Sequence, residues 1–234
     1  MTTTALSCGN IEREARPARA DVRWFDLPPQ PSRTDVDPIL LEAEGRVVVH
    51  GTDADLAAVV LRLLRKNLLA ELSVGYVPVT RSPASSVWSL PVGEFDTALA
   101  APTRATPLIR DDSGGVLLGR GAIAPMTGQV YCDDQRMLHG SARSVEVFPD
   151  PDAPPLSEPT DDPLTTQPAP VTTGLVTVVT RRKLLWQRSE SARGRAMQAS
   201  FEETTVHRDG VAHPRPLHRC AWYRHTRDLL LARP

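Results

Sequence analysis

One stretch near the start of the chain constrains the fold more than any other. Residues 46–60 read RVVVHGTDADLAAVV, and residues 72–79 read LSVGYVPV. Val47–Val49 is a short apolar run suited to a strand inside a sheet. From Ala54 to Leu72, Leu56, Val59, Val60, Leu63, Leu64, Leu68 and Leu72 recur at helical spacing on one face. Thr52 or Asp53 supplies an N-cap. A strand, a helix and a second strand in this spacing predict a βαβ unit with a right-handed crossover, hence a parallel sheet.

The rest of the chain has a different texture. Asp21–Leu27 predicts a short strand. Prolines 28, 29, 31 and 38 predict an irregular stretch after it. Phe95–Leu99 predicts a helical turn or two. After Thr106, GGVLLGRGAI, TGQVYC, ARSVEVF, GLVTVVTRR and SFEETTVHRDGV are short, β-rich and separated by turn residues, as in an antiparallel sheet. Asp209-Gly210 has the chemistry of a hairpin turn, and DLLLA (228–232) reads as a closing strand. Eight prolines fall within residues 149–170, which predicts an extended linker. The expected architecture is α/β plus β: a flexible tail over 1–20, a small Rossmann-like βαβ lobe over 21–106, and an antiparallel β-sandwich-like domain over 107–234 with a Pro-rich linker at 149–173.

Composition excludes some classes. No run of 18 apolar residues exists, and MTTTALSCGNIEREARPARA lacks the basic-then-apolar order of a signal peptide, so a cytoplasmic location is expected. Cys8, Cys132 and Cys220 give neither a disulfide framework nor a CxxC metal spacing. Net charge is −1 but uneven: from Gly174 onward twelve Arg or Lys face five Asp or Glu, about +7, which leaves about −8 for the remainder. Packing of the two parts against each other accounts for this without a partner. A basic face could also meet an anionic one.

The order of these pieces resembles the diacylglycerol kinase catalytic-domain family, which groups with sphingosine kinases and NAD kinases. The resemblance rests on RVVVHGTDADLAAVV, on VGYVPVTRSPASSVWSLP and on the late strands around RDGV and DLLLARP. It implies that His50, Gly51, Thr52 and Asp53 stand at a GGDGT nucleotide loop, Thr80, Arg81 and Ser82 at a GTGN loop, and Asp209 at a catalytic DGE turn. The sequence departs from all three. Of the loop glycines only Gly51 survives, and each side chain gained fills ground a phosphate needs. Asp53 and Asp55 would face a polyanion. Two like charges about 4 Å apart repel by about 4 kcal/mol at an effective dielectric of 20, whereas a helix dipole returns about 0.3–1 kcal/mol. Those aspartates are expected to cap the helix instead. Pro83 removes a donor from the second loop, where Arg81 alone could bind phosphate. Val211 replaces the acid of DGE. The family's first strand and its following helix are expected to be missing or shortened.

The expectation is therefore a degenerate, lipid-kinase-like pseudoenzyme with no cofactor and no metal site, binding a small molecule or a protein partner. The enzyme alternative is a divergent ATP-dependent diacylglycerol or lipid kinase using Mg²⁺ with Asp53 or Asp55, Arg81 and Asp209. The third reading is a binding module on the basic C-terminal strands. There Arg181-Arg182-Lys183 and Leu184-Leu185-Trp186 form a cationic, aromatic edge for anionic lipid at a membrane surface. LHRCAWYRHTR (217–227) mixes Arg, His, Trp and Tyr as nucleic-acid binders do, but Trp222 and Tyr223 packed on the sheet explain it better. His213, His218, Cys220 and His225 match no common zinc spacing; alternation puts His218 and Cys220 on one strand face.

Overall fold

The structure is a computed structural model describing residues 2–9, 16–156, 173–183 and 186–234, with backbone alone at 182, 183 and 186. The first body is built from β1 (Thr3–Cys8), β2 (Val22–Leu27), α1 (Arg33–Glu42), β3 (Arg46–Gly51), α2 (Asp53–Arg65), β4 (Ser73–Pro78), α3 (Pro83–Val87), α4 (Phe95–Ala100) and β5 (Thr103–Thr106). The second contains β6 (Ile109–Asp111), β7 (Val116–Leu117), β8 (Gly121–Ile123), β9 (Met126–Cys132), β10 (Gln135–Ala142), β11 (Ser144–Pro149), β12 (Leu175–Lys183), β13 (Trp186–Gly194), β14 (Ala196–Thr204), β15 (Val206–Arg208), β16 (Val211–Ala212) and β17 (Leu217–Arg224). The chain then returns to the first body as β18 (Leu229–Ala232).

The first sheet has the order β2-β1-β3-β4-β18-β5, parallel throughout except where β5 runs against β18. Strand alternation sorts its side chains to two covers. Val47, Val49, Val74 and Tyr76 join the core under α1 and α2. Val48 and Val77 pack with Ala98 of α4 on the other face. The expected α/β lobe with its βαβ unit is present.

The helix predicted through Leu72 stops at Arg65. Lys66 is its C-cap, and Asn67 takes a left-handed φ of +60°, which turns the chain while Leu68 N–H bonds the Leu63 carbonyl at 2.9 Å. Leu69 and Leu72 stay buried from the loop. The proline-marked stretch after β2 holds a helix, contrary to expectation. Ser32 and Asp35 form a capping box, Val36 and Leu40 are buried, and Asp37 takes both nitrogens of Arg62 on α2, Nε at 2.7 Å and Nη2 at 2.8 Å. These contacts outweigh Pro38 inside the helix.

The tail expected over 1–20 and the missing first strand are both corrected. Thr3–Cys8 is an interior strand, paired with β2 on one side and β3 on the other. Its small residues hide it: Ala5, Leu6 and Ser7 are wholly buried, yet Thr and Ser dilute the apolar signal. The first lobe thus begins before residue 21.

The remaining strands form two antiparallel sheets, β10-β9-β14-β17-β6-β7 and β13-β12-β11-β8-β15-β16. Their facing sides share one core that includes Met126, Val130, Val145, Val147, Val179, Met197 and Trp222, as in a β-sandwich. The 209–210 turn joins β15 to β16 as expected. β10 was not expected; its QRMLHGSA buries only Met137, Leu138 and Ala142. The closing strand leaves this domain and pairs with β4 and β5, so the domain does not run to residue 234. Most of the predicted Pro-rich linker (157–172) lies outside the described residues. Its described ends meet at Arg224, buried at 3 % exposure, which donates to the carbonyls of Thr173 (2.6 Å) and Pro154 (2.9 Å) and to Asp228 (2.8 Å).

No helix among the described residues is long and apolar enough to cross a membrane.

Candidate functional site

The carboxyl-terminal edge of β3 carries the glycine-poor turn. Thr52 caps α2, and its hydroxyl accepts from Asp55 N–H at 3.3 Å. Asp55 reaches back. Its Oδ2 accepts from Thr52 N–H (2.8 Å) and Thr52 Oγ1 (2.7 Å), and its Oδ1 from Gln30 N–H (2.6 Å). A Cβ placed on Gly51 would stand 2.7 Å from Asp55 Oδ2. The space over the one surviving glycine therefore already holds a carboxylate, and the turn amide at Thr52 already serves an anion.

Asp53 is not a cap. It is buried at 5 % exposure and accepts three bonds from the second loop and the sheet. Tyr76 Oη (2.8 Å) and Ser82 Oγ (2.6 Å) donate to Oδ1, and Ala84 N–H (3.0 Å) donates to Oδ2. Burial, then the field and hydrogen bond of Asp53, raise the Tyr76 phenol far above its ordinary value. Ser82 caps the short α3, accepting from Ser85 N–H. Thr80 and Arg81 are exposed and belong to no hydrogen bond among the described residues. His50 is buried edge-on to Phe95, with ring centroids 4.9 Å apart, and its Nδ1 has no hydrogen-bond partner among the described residues. Burial first, then Arg16, lowers its pKa.

Asp209 lies at the hairpin turn of the second body, buried, with φ +47°. It accepts from three consecutive amides: Leu118 (2.9 Å), Gly119 (2.7 Å) and Arg120 (2.9 Å). That strap is the link sequence reasoning missed. Trp88 Nε1 donates to the Leu118 carbonyl at 2.9 Å. A Cβ on Gly119 would stand 2.6 Å from Ala84 N and 3.0 Å from Asp53 Oδ2. Only glycine lets the strap pass between the two aspartates. The three predicted loops thus converge, but through a fourth segment. Its contacts to Asp209, 89 to 91 residues apart, have no local signature in GGVLLGRGAI.

Burial, against the pull of the three amides and with Asp53 adding to the rise, pushes the Asp209 carboxyl up from 3.8 to about 7. The folded state therefore holds a proton that the unfolded chain releases above about 4, so this group's contribution to stability declines as pH rises from about 4 to about 7. Within that window the decline reaches up to about 1.4 kcal/mol per pH unit. The stability difference between the wild type and Asp209→Asn, measured by urea denaturation, is expected to shrink or reverse across this interval. A difference that stays flat from pH 4.5 to 7 contradicts the assignment.

The other candidate residues scatter. His218 is exposed near the start of β17 while Cys220 is buried farther along it, and the extra residues of the β14–β17 register shift fall on β14, between Ser200 and Thr204. Among the described residues no three His, Cys, Asp or Glu groups gather as metal ligands. Trp222 is 1 % exposed in the sandwich core, so it cannot stack on a base. Arg181 pairs with Glu190 at 2.8 Å; the side chains of 182–186 lie outside the described residues.

No protein-family model and no curated protein matches the sequence. Solved structures do match over the whole length. A diacylglycerol kinase from Bacillus anthracis strain Sterne aligns at TM-score 0.67 and 12% identity, covering 100% of this chain and 97% of that one. An NAD kinase from Archaeoglobus fulgidus in complex with ATP aligns at 0.58 and 11%, covering 99% and 94%. A yeast NADH kinase complexed with NADH aligns at 0.56 and 8%, covering 100% and 84%. With the strand order, these similarities show that the chain has the fold of these diacylglycerol and NAD kinase structures.

Proposed function

We propose that this chain is a catalytically impaired, lipid-kinase-like protein that serves as a ligand- or partner-binding module. The observation that supports the reading is Asp55. Its carboxylate occupies the position over Gly51 and takes the Thr52 amide, the groups a nucleotide phosphate would use in the kinase fold. Thr52 and Ala54 add side chains beside it. Asp53 is bound by three protein donors. A triphosphate does not fit these residues.

In calorimetric titration with ATP–Mg²⁺, any saturable heat is expected to be the same in the wild type and in Asp53→Ala, since the loops themselves take no nucleotide. The second reading, a divergent ATP-dependent lipid kinase, is favoured by one feature: Asp209 lies within the field of Asp53, with the Gly119 strap between them. Micromolar, saturable binding that weakens in Asp53→Ala would establish that reading and end the first.

A further inference from the structure

A cleft opens far from these loops, where the end of α2 approaches β6 and the β17–β18 turn. Arg65 and Asn67 come from the helix end, Arg110 from β6, and His225, Thr226 and Arg227 from the turn. Its volume is about 380 Å³, within the roughly 300–1,000 Å³ of small-molecule sites. α2 has 13 residues, so at 1.5 Å per residue its two ends, and these two places, are roughly 20 Å apart.

No acid lines this cleft among the described residues. Arg110 and Arg227 have no ion pair among the described residues, and Arg65 donates only to the Gly114 carbonyl at 3.0 Å. Arg110 Nε is shielded from water and has no hydrogen-bond partner among the described residues. The acids next in sequence to Arg110 and Arg227 are committed elsewhere. Asp228 serves Arg224 and Leu156 N–H, and Asp111 serves Arg208, Ser113 and Gly115. A helix C-terminus accounts for one cation such as Arg65. It does not account for two more brought from separate elements. Burial, then Arg110 and Arg227, hold His225 below its ordinary pKa, so at neutral pH it adds a donor without adding charge. Three guanidiniums held together repel one another until an anion joins them, and their planar forks suit phosphate oxygens. A single carboxylate would leave most of that charge unbalanced.

We infer that this cleft binds a small molecule through a phosphate or diphosphate group, gripped by Arg65, Arg110 and Arg227. The site is independent of the reading of the Asp53–Asp209 loops, and its failure would leave that reading untouched. Calorimetry with inorganic pyrophosphate on the full chain is the test. Saturable binding is expected, weakened at least about tenfold in R227Q and R110Q by loss of a charge-assisted pair. R215Q, an exposed arginine outside the cleft, should leave it unchanged. Arg227 is exposed, so R227Q tests the site without disturbing the core, and the His225 ring signals should move in NMR as pyrophosphate is added. Binding to phosphatidic acid vesicles that pyrophosphate competes away would assign the phosphate to a lipid headgroup. Pyrophosphate binding with no vesicle binding would assign a soluble ligand. Either result supports the site. No saturable pyrophosphate binding, or equal losses in R215Q and R227Q, overturns it.

Discussion

Replacing Asp228 with alanine is expected to destabilise the protein by about 3–5 kcal/mol, the usual cost of stranding one partner of a buried ion pair. The pair is nearly free of solvent, with side-chain exposures of 1 % for Arg224 and 7 % for Asp228. Without the carboxylate, the Arg224 guanidinium keeps two carbonyl acceptors but no counter-charge, and Leu156 N–H loses its partner. Asp228→Asn should fall between wild type and alanine, because an amide can accept from Arg224 but cannot also accept through its nitrogen. Urea midpoints for the three proteins check the order. A loss under about 1 kcal/mol in Asp228→Ala would mean water reaches the pair, since exposed pairs are worth that little.

Trp88→Ala should be comparably severe, about 3–5 kcal/mol for removing a buried aromatic. Trp88 is 1 % exposed and packs in the core of the first lobe. Its indole also fastens the Leu118 carbonyl, so the alanine variant leaves that acceptor bare next to the strap that Asp209 holds. Arg233 lies over its ring at 5.4 Å. Trp88→Phe retains most of the volume and gives up the hydrogen bond, for a net loss of about 0.5–1.5 kcal/mol from the bond. If alanine and phenylalanine prove equally mild, Trp88 is not joining the lobes.

The sequence made the βαβ unit readable because its apolar spacing is strong: α2 carries Leu56, Val59, Val60 and Leu63, all buried. The hairpin at Asp209-Gly210 was equally plain, since turn chemistry is local. Asp55 was legible as a cap for the same reason. Asp53 was not, because its donors come from Tyr76, Ser82 and Ala84, 23 to 31 residues away. β1 was lost among small polar residues that a two-sided sheet interior accepts. β18 was recognised as a strand but placed in the wrong sheet, because DLLLA carries no mark of its neighbours. The basic cleft shows the same limit. Arg65, Arg110 and Arg227 are unremarkable singly, and only the tertiary fold brings them together.

The return of β18 also bears on how such a chain matures. Between β5 at Thr103–Thr106 and its neighbour β18 at Leu229–Ala232 lies an entire sandwich, and β4 waits for the same partner. During synthesis the early sheet must keep that slot vacant until the later residues emerge from the ribosome. A nascent chain stalled after β17 would expose the unpaired edges of β4 and β5, an adhesive surface suited to chaperone capture.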